Sequence, residues 1–192
     1  KPRKDLFVAD AAAIAEFCPS AAGVSPEIQD MGYLKAAGVK SSILTLVGAT
    51  GGFAEANGWE PEVGRLYTDD EVSHRAPVCV LGSGPAGVLF PSGGAIGQWV
   101  DHDGHRFLVV GVLKAKGKLL GQNQDDFAVF PLALLARQWN YGQRVDYMVI
   151  RPRGPQSVEP LRDEITELLR RRRGVRADQP DDFGITSQAE LM

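Results

Sequence analysis

The segment that most constrains this chain is VCVLGSGPAGVLF, residues 78–90. An apolar, β-branched run leads into Gly82-x-Gly84-x-x-Gly87, the spacing of a dinucleotide-binding fingerprint. In that fold the pyrophosphate sits on the N-terminus of a full helix, so a long helix must follow the glycines. Here Pro91 follows Gly87 after only three residues, and further glycines come next, so at most one helical turn fits. The segment predicts a strand and one helical turn closed by glycines, with FAD or NAD binding as the alternative.

Composition limits the remaining choices. The chain has 192 residues, 44% of them apolar and 23% charged, which is ordinary for a globular protein of one domain or two small ones. The net charge of −3 argues against nucleic acid as a main partner. Cys18 and Cys79 make no disulfide framework, although a single bridge in an oxidising compartment stays open. No apolar stretch is long enough to span a bilayer, and we expect no signal peptide.

Two helices have clear start and stop signals. Asp10 caps the predicted helix DAAAIAEFCP, in which Ile14 and Phe17 are expected to face the interior. Ser157 begins SVEPLRDEITELLRRRRG, whose apolar residues recur every three or four positions, and Gly174 ends it. The tetrapeptide TDDE is a capping-box pattern for a third, short helix.

The middle and the end of the chain show strand and turn patterns. IGQWVDHDGHRFLVVGVL predicts a hairpin with Asp103-Gly104 in a type I′ turn. The next stretch, KAKGKLLGQNQDD, predicts a polar loop, which we expect to be mobile because it buries little surface. Near the C-terminus, DFGITS has the pattern of a strand.

The order of these elements predicts an α+β protein with a β-rich insertion. Strand–helix units at both ends flank a central stretch of glycines, turns and strand patterns. We therefore assign residues 1–52 together with 126–192 to one α+β subdomain. Residues 53–125 form the inserted β-rich subdomain.

Several polar groups are candidate sites, and each has a structural interpretation. His102, Asp103 and His105 suggest a metal, but they lie on a hairpin turn without a further histidine or cysteine nearby. Arginines 170–173 suggest phosphate or headgroup binding, but they also complement the dipole at a helix C-terminus. Carboxylate pairs that suggest acid–base chemistry or a divalent ion, each beside a cap or loop, are Asp69-Asp70, Asp125-Asp126 and Asp181-Asp182. No nucleophile–base set appears, so we assign no catalytic, cofactor-binding or metal residues and predict a binding or structural module.

Four segments in collinear order resemble one family. LYTDDE, VCVLGSGPAGVLF, GGAIGQWVDHDGHRFLVVGVLKAKGKLLGQNQDDFAVFPL and ITELLRRRRGVRADQPDDFGITSQAELM look like the extracytoplasmic core domain of MacB-type ABC transporter permeases. The resemblance runs from about residue 10 to residue 192, and residues 107–131 are its most specific part. The N-terminal third matches more loosely.

The resemblance implies a domain mounted between the first two membrane helices of a dimeric permease, on the extracytoplasmic side of the cytoplasmic membrane. It implies a porter-like α+β part made from both chain ends and a second part inserted in the middle. ATP is then hydrolysed by a cytoplasmic ATP-binding domain or subunit, and tripartite members also engage a periplasmic adaptor. The cargo is of drug, peptide or lipoprotein type. The resemblance supplies no catalytic residues or cofactor. Lys1 and Met192 are expected on the same side of the molecule. The alternatives are a small dinucleotide-binding domain and a free-standing soluble binding module.

Overall fold

A mixed sheet of ten strands organises the computed structural model, which describes residues 4–191. The strands, in chain order, are β1 Leu6–Phe7, β2 Ala21–Gly32, β3 Lys35–Ala36, β4 Val39–Lys40, β5 Leu44–Ala49, β6 Pro61–Gly64, β7 Val78–Leu81, β8 Trp99–His102, β9 His105–Leu113, β10 Lys118–Leu119, β11 Gln122–Asn123, β12 Phe127–Pro131, β13 Arg144–Val145 and β14 Tyr147–Pro152. The helices are α1 Val8–Phe17, α2 Phe53–Asn57, α3 Asp69–Ser73, α4 Ser83–Leu89, α5 Leu132–Gln138, α6 Val158–Arg172 and α7 Gln188–Leu191, with a 3-10 turn at Pro155–Ser157. This mixture confirms the predicted α+β class.

The main sheet has the order β14-β2-β5-β12-β7-β9-β8-β3-β4, and β6 pairs with β9. It contains two parallel pairs, β7–β9 and β5–β12, and in the second Val47 is opposite Val129. Strands β7 and β12, which read as continuous apolar runs, are buried along their whole length, as strands covered on both faces are. Two small antiparallel pairs, β1–β13 and β10–β11, stand apart from this sheet.

Two hydrophobic clusters form the core. The larger follows the sheet from Ile28 on β2 to Val100 on β8, and therefore includes residues from every part of the chain's proposed division. The smaller packs Ile14 of α1 against Leu161 and Ile165 of α6. Strand β14 pairs with β2 of the N-terminal third, while β12 pairs with both β5 and β7 and continues the sheet into residues 53–125. The division into two subdomains stays a prediction.

The first helix differs from its prediction in two details. Asp10 lies in the first turn of α1 instead of before it, and its carboxylate accepts the Phe7 N–H at 3.0 Å. The carboxylate thus satisfies a free donor at the helix start from inside the helix. Ile14 is fully buried as predicted, but Phe17 is 61% exposed, so its predicted inward position was wrong.

The glycine segment contains a longer helix than predicted. Helix α4 has seven residues, about two turns, because it begins at Ser83 among the glycines instead of after Gly87. Pro85 is tolerated in its first turn, where a missing N–H removes no helical hydrogen bond. The helix ends at Leu89, before Pro91, so the proline limits it as expected.

Most locally signalled elements are confirmed. Strands β8 and β9 form the predicted hairpin, and Asp103 and Gly104 have φ of 48° and 80°, as a type I′ turn requires. Thr68 and Glu71 form the capping box, with Glu71 N–H donating to the Thr68 hydroxyl at 3.2 Å. Helix α6 ends in a left-handed residue at Gly174, where φ is 64°.

Two of the strand and loop predictions were wrong. The segment DFGITS forms no strand; instead Asp182 O accepts the Lys4 N–H at 3.1 Å, and Phe183 packs in the α1–α6 cluster. The stretch KAKGKLLGQNQDD, predicted as a loop, forms the hairpin β10–β11, whose turn residues Leu120 and Gly121 have φ of 50° and 79°. The mobility of this stretch stays a prediction.

Candidate functional site

The first two glycines of the fingerprint serve packing within the fold. Gly82 N–H donates to Phe127 O at 2.9 Å, and Gly84 N–H donates to Asp125 O at 3.1 Å. A Cβ atom at Gly82 would overlap the Asp125 carbonyl oxygen, and one at Gly84 would overlap the Asp126 carboxylate. Backbone donors that would bind a pyrophosphate are therefore already bonded to the start of β12, and glycine is required by the close approach of that strand.

The third glycine faces an open groove. A Cβ atom at Gly87 would have no neighbour within 4 Å. The groove has a volume of about 490 Å³ and lies between α4, β6 and the end of β9. Its walls are mostly apolar and its rim includes a carboxylate; the lining residues include Glu62, Val63, Ala86, Gly87, Phe90, Pro91 and Ala115. We call this set the groove.

A buried carboxylate anchors the hairpin beside the groove. Asp125 is 5% exposed and accepts the N–H groups of Lys116 at 2.9 Å and Gly117 at 2.8 Å. The Lys116 ammonium donates to Asn57 O at 3.1 Å and lies 3.8 Å from the centre of the Trp59 ring. These contacts fix the base of β10–β11, and they give Asp125 a structural role in place of the acid–base role considered from sequence.

The end of this hairpin is exposed and apolar. Leu119 is 42% exposed and Leu120 is 74% exposed, and every residue from 114 to 123 is exposed. We call Lys118, Leu119, Leu120 and Gly121 the hairpin tip. Two adjacent leucines facing solvent on one turn form a local apolar patch, which is more informative than a single exposed apolar residue.

The two histidines of the hairpin turn lie in different environments. The His102 ring is buried, with Nδ1 3.1 Å from Tyr33 O and Nε2 3.4 Å from Asp103 Oδ2, whereas His105 is exposed. Gly32 packs against the His102 ring, so this side chain joins the end of β2 to β8. Within residues 4–191, histidine, cysteine and carboxylate side chains form no group of three that could hold a metal ion.

Two residues of the arginine run, Arg172 and Arg173, form ion pairs with buried carboxylates near the α1–α6 contact. Arg173 Nε is 2.7 Å from Asp182 Oδ1, and these side chains are 7% and 2% exposed. Arg172 Nε donates to Asp10 Oδ1 at 3.1 Å. The cluster also holds the N-terminal segment, because Arg173 Nη1 donates to Asp5 O at 2.8 Å. We call Asp10, Arg172, Arg173 and Asp182 the end cluster, since it joins a segment near each end of the chain to α6.

Two further candidate carboxylates are bonded within the fold. Asp69 accepts the Gly51 N–H at 2.8 Å, and Asp181 pairs with Arg170 at 2.6 Å. Cys18 and Cys79 are both free and buried, and burial raises the pKa of each thiol. Neutral buried thiols are poor nucleophiles.

Sequence reasoning missed one buried titratable group, Glu27 of β2. Burial raises the pKa of its carboxyl, and the Asn57 amide donates to it at 2.9 Å. This hydrogen bond links the sheet to the end of α2. The sequence has no local signal for it, because the partner lies thirty positions away.

Comparison with known proteins identifies the family. Residues 2–168 match the family described as MacB-like periplasmic core domain. This chain belongs to the MacB-like periplasmic core domain family. The MacB-like domain is therefore the extracytoplasmic domain of an ABC transporter permease, which confirms the resemblance and the predicted location. Among residues 4–191, every helix is too short or too polar to cross a membrane.

Relatives of the MacB-like domain are longer proteins. It is 28% identical over 189 residues to the macrolide export ATP-binding/permease protein MacB of Azoarcus sp. strain BH72, covering 97% of this chain and 28% of that protein. It is 28% identical over 131 residues to the protein of the same name from Chlorobaculum tepidum, covering 68% of this chain and 20% of that protein. The chain thus spans less than a third of the length of either relative.

Solved structures share the fold. The periplasmic region of MacB from Actinobacillus actinomycetemcomitans superposes with a TM-score of 0.75 at 20% identity, covering 90% of this chain and 76% of that one. The extracellular domain of the noncanonic ABC-type transporter YknZ from Gram-positive bacteria superposes with a TM-score of 0.72 at 16% identity, covering 90% and 86%. At these identities the likeness establishes the architecture of the MacB-like domain and nothing further.

Proposed function

We propose that the domain is a non-catalytic mechanical element of its permease. In this role it converts conformational change driven by cytoplasmic ATP hydrolysis into movement outside the membrane, where it engages partners or cargo. The ATP-binding part is a separate domain or subunit, in keeping with the combined ATP-binding/permease names of the relatives. Membrane helices flanking this chain would mount the domain.

The observation that carries this proposal is the end cluster. Lys4 N–H donates to Asp182 O at 3.1 Å, so segments from opposite ends of the chain are bonded to each other. Arg173 ties both segments to α6 through Asp5 O and the Asp182 carboxylate. Because α1 and α6 pack on β2 and β14, displacement of either segment would reach the sheet through buried, stiff contacts.

The occupied polar groups support a role without chemistry. Asp69, Asp125 and Asp182, one from each carboxylate pair, accept hydrogen bonds within the fold. General acid–base catalysis requires a group that reaches the substrate proton, and these carboxylates are already bonded to the chain.

Partners follow from the same proposal. The permease acts as a dimer with its ATP-binding domain or subunit, and a periplasmic adaptor is the further partner in a tripartite assembly. The cargo is of drug, peptide or lipoprotein type. Nucleic acid is not among the partners, given the net charge of −3.

A spin-label experiment on the full-length permease tests the coupling. A label at exposed Glu16 on α1 reports the distance between the two copies, in nanodiscs, with and without ATP. We expect ATP to change this distance in the wild type. Arg173→Gln should abolish the change while ATP hydrolysis persists, because the end segments are no longer tied to α6.

Arg171→Gln is the matched control, since Arg171 is exposed on the same helix end and lies outside the end cluster. It should behave as the wild type. Arg172→Gln, which removes a more exposed member of the cluster, should give an intermediate response. A wild-type distance that does not respond to ATP contradicts the proposal.

A further inference from the structure

Leu120 of the hairpin tip has a backbone conformation that is unfavourable for leucine. The chain contains another type I′ turn at Asp103-Gly104, with φ of 48° and 80°. The tip repeats this conformation at Leu120-Gly121, with φ of 50° and 79°. Aspartate, asparagine and glycine are the usual first residues of such turns, whereas a bulky side chain with positive φ is an outlier. Leu120 therefore combines backbone strain with an exposed apolar side chain.

Nothing in the rest of the fold offsets this combination. Residues 114–123 are all exposed, and Leu120, at 74% exposure, gains little burial from its own chain. The base of the hairpin, in contrast, is held by the Asp125 carboxylate and by Lys116 on the Trp59 ring. The chain thus presents a strained apolar turn on a fixed base, the arrangement of a preorganised contact.

The groove has the complementary properties. Val63, Phe90 and Pro91 supply apolar walls, and Val63 is 50% exposed. Gly87 leaves the space above α4 open, since no atom lies within 4 Å of its missing Cβ. Glu62 places a carboxylate at the rim. An apolar side chain flanked by a cation therefore fits the groove.

The tip and the groove are neighbours. Ala115, at the base of the hairpin, is itself one of the groove residues. Lys114 and Lys116 make contacts within the chain, to Glu60 and to Asn57 O, which leaves Lys118 as the lysine at the tip. The hairpin tip, with its cation, and the groove, with its carboxylate, thus lie on one surface. Such a surface is self-complementary under a two-fold rotation.

We propose that two copies of this domain contact each other by reciprocal insertion of the hairpin tip into the groove. Leu119 and Leu120 of one copy fill the space beside Gly87 of the other, and Lys118 meets Glu62. The proposal rests on the permease dimer of the proposed function. One turn in one groove is a small contact, so it depends on the high effective concentration of two domains held in one permease.

Cysteine cross-linking between two differently tagged, co-expressed full-length permeases tests this contact. One copy carries Leu120→Cys and the other Gly87→Cys. The native cysteines Cys18 and Cys79 are buried and do not compete. We expect a disulfide joining the two tags. Its absence overturns the proposal.

A chain that carries both substitutions tests the rival geometry. A disulfide formed only within single copies means that the tip folds over its own groove, and this outcome overturns the contact between copies. Filling the groove with Gly87→Met, tested against Leu120→Cys paired with Val63→Cys, should lower the cross-linking rate about tenfold, because the leucine loses its space. An unchanged rate also overturns the proposal.

Charge exchange gives a control that keeps the shapes constant. Lys118→Glu in the copy with Leu120→Cys should slow cross-linking to Gly87→Cys about fivefold, and Glu62→Lys in the other copy should restore the rate. Failure of the double exchange to restore the rate contradicts the assigned pairing. If no cross-link forms but the Glu16 distance still responds to ATP, the contact is wrong and the proposed coupling stands. If the cross-link forms but the wild-type distance does not respond to ATP, the contact stands and the proposed coupling is wrong.

Discussion

Where α1 and α6 meet, buried charges face opposite charges of the same chain. Asp182 is 2% exposed and forms an ion pair with Arg173, and Asp10 forms an ion pair with Arg172. At the hairpin tip and the groove, by contrast, the unusual residues face solvent. Leu120 is 74% exposed in a strained turn, and Gly87 faces empty space.

This comparison distinguishes residues that stabilise the fold from residues that contribute nothing to its stability. A buried ion pair is costly to form and more costly to break, so substitutions in the end cluster should damage the folded state itself. An exposed strained leucine gives the isolated fold nothing, so its replacement should leave the fold intact or improve it. The following measurements, in order of decreasing effect, sharpen this contrast or remove it.

The largest effect is expected for Arg173→Ala. It removes the buried cation 2.7 Å from Asp182 and leaves the carboxylate only the exposed Lys4 ammonium at 3.8 Å, which should lower the free energy of unfolding by about 3 kcal/mol. Urea denaturation measures the change. Arg171→Ala, on the exposed face of the same turn, should change it by less than about 0.5 kcal/mol. Equal effects of the two substitutions would show that the end cluster is not special.

A smaller loss is expected for Asp125→Ala. The carboxylate accepts two backbone N–H groups at the base of the hairpin, and their loss should lower the free energy of unfolding by about 2 kcal/mol. Asp125→Asn keeps one oxygen acceptor and should lose about half as much. If neither substitution is destabilising, the base of the hairpin is not fixed, and the contrast between its base and its tip fails.

A gain is expected for Leu120→Asn. Asparagine suits positive φ, so the free energy of unfolding should rise by about 1 kcal/mol. The reciprocal change, Asp103→Leu, puts leucine into the other type I′ turn and should lower it by a similar amount. Thermal unfolding of both variants decides the matter. A loss of stability in Leu120→Asn would mean that the leucine serves its own fold.

No effect is expected from nucleotides. Because Gly82 and Gly84 donate their N–H groups to the start of β12, FAD, NAD and NADP should release no heat of binding on titration. Micromolar affinity for any of them would support the alternative that the glycine segment binds a dinucleotide. It would also show that its backbone donors are exchanged for a ligand.

Elements with local signals were predictable from the sequence. The capping box at Thr68, the turn at Asp103-Gly104 and the amphipathic helix α6 each depend on residues a few positions apart. The family was recognisable for a related reason, since the order of such segments is itself a pattern along the chain.

Features that depend on distant partners were not predictable. Phe17 satisfies the helical period but projects to solvent, because α1 contacts the core through Ile14. The DFGITS segment has a strand pattern but finds an arginine and the N-terminal segment instead of a strand partner. The candidate contact surface was hidden for the same reason, since α4, β6 and the hairpin meet only in the folded chain.

We expect the parallel pair β5–β12 to constrain the order in which the domain folds. Strands β2 and β5 are near neighbours in the sequence, so we expect them to pair early. The other edge of β5 stays unpaired until β12 is present, and β12 follows the whole middle of the chain. A chain translocated N-terminus first therefore exposes an apolar strand edge until Phe127–Pro131 arrives. Such an edge is a template for aggregation. We therefore expect the yield of folded domain to depend on how quickly β12 is delivered, in addition to the stability of the finished sheet.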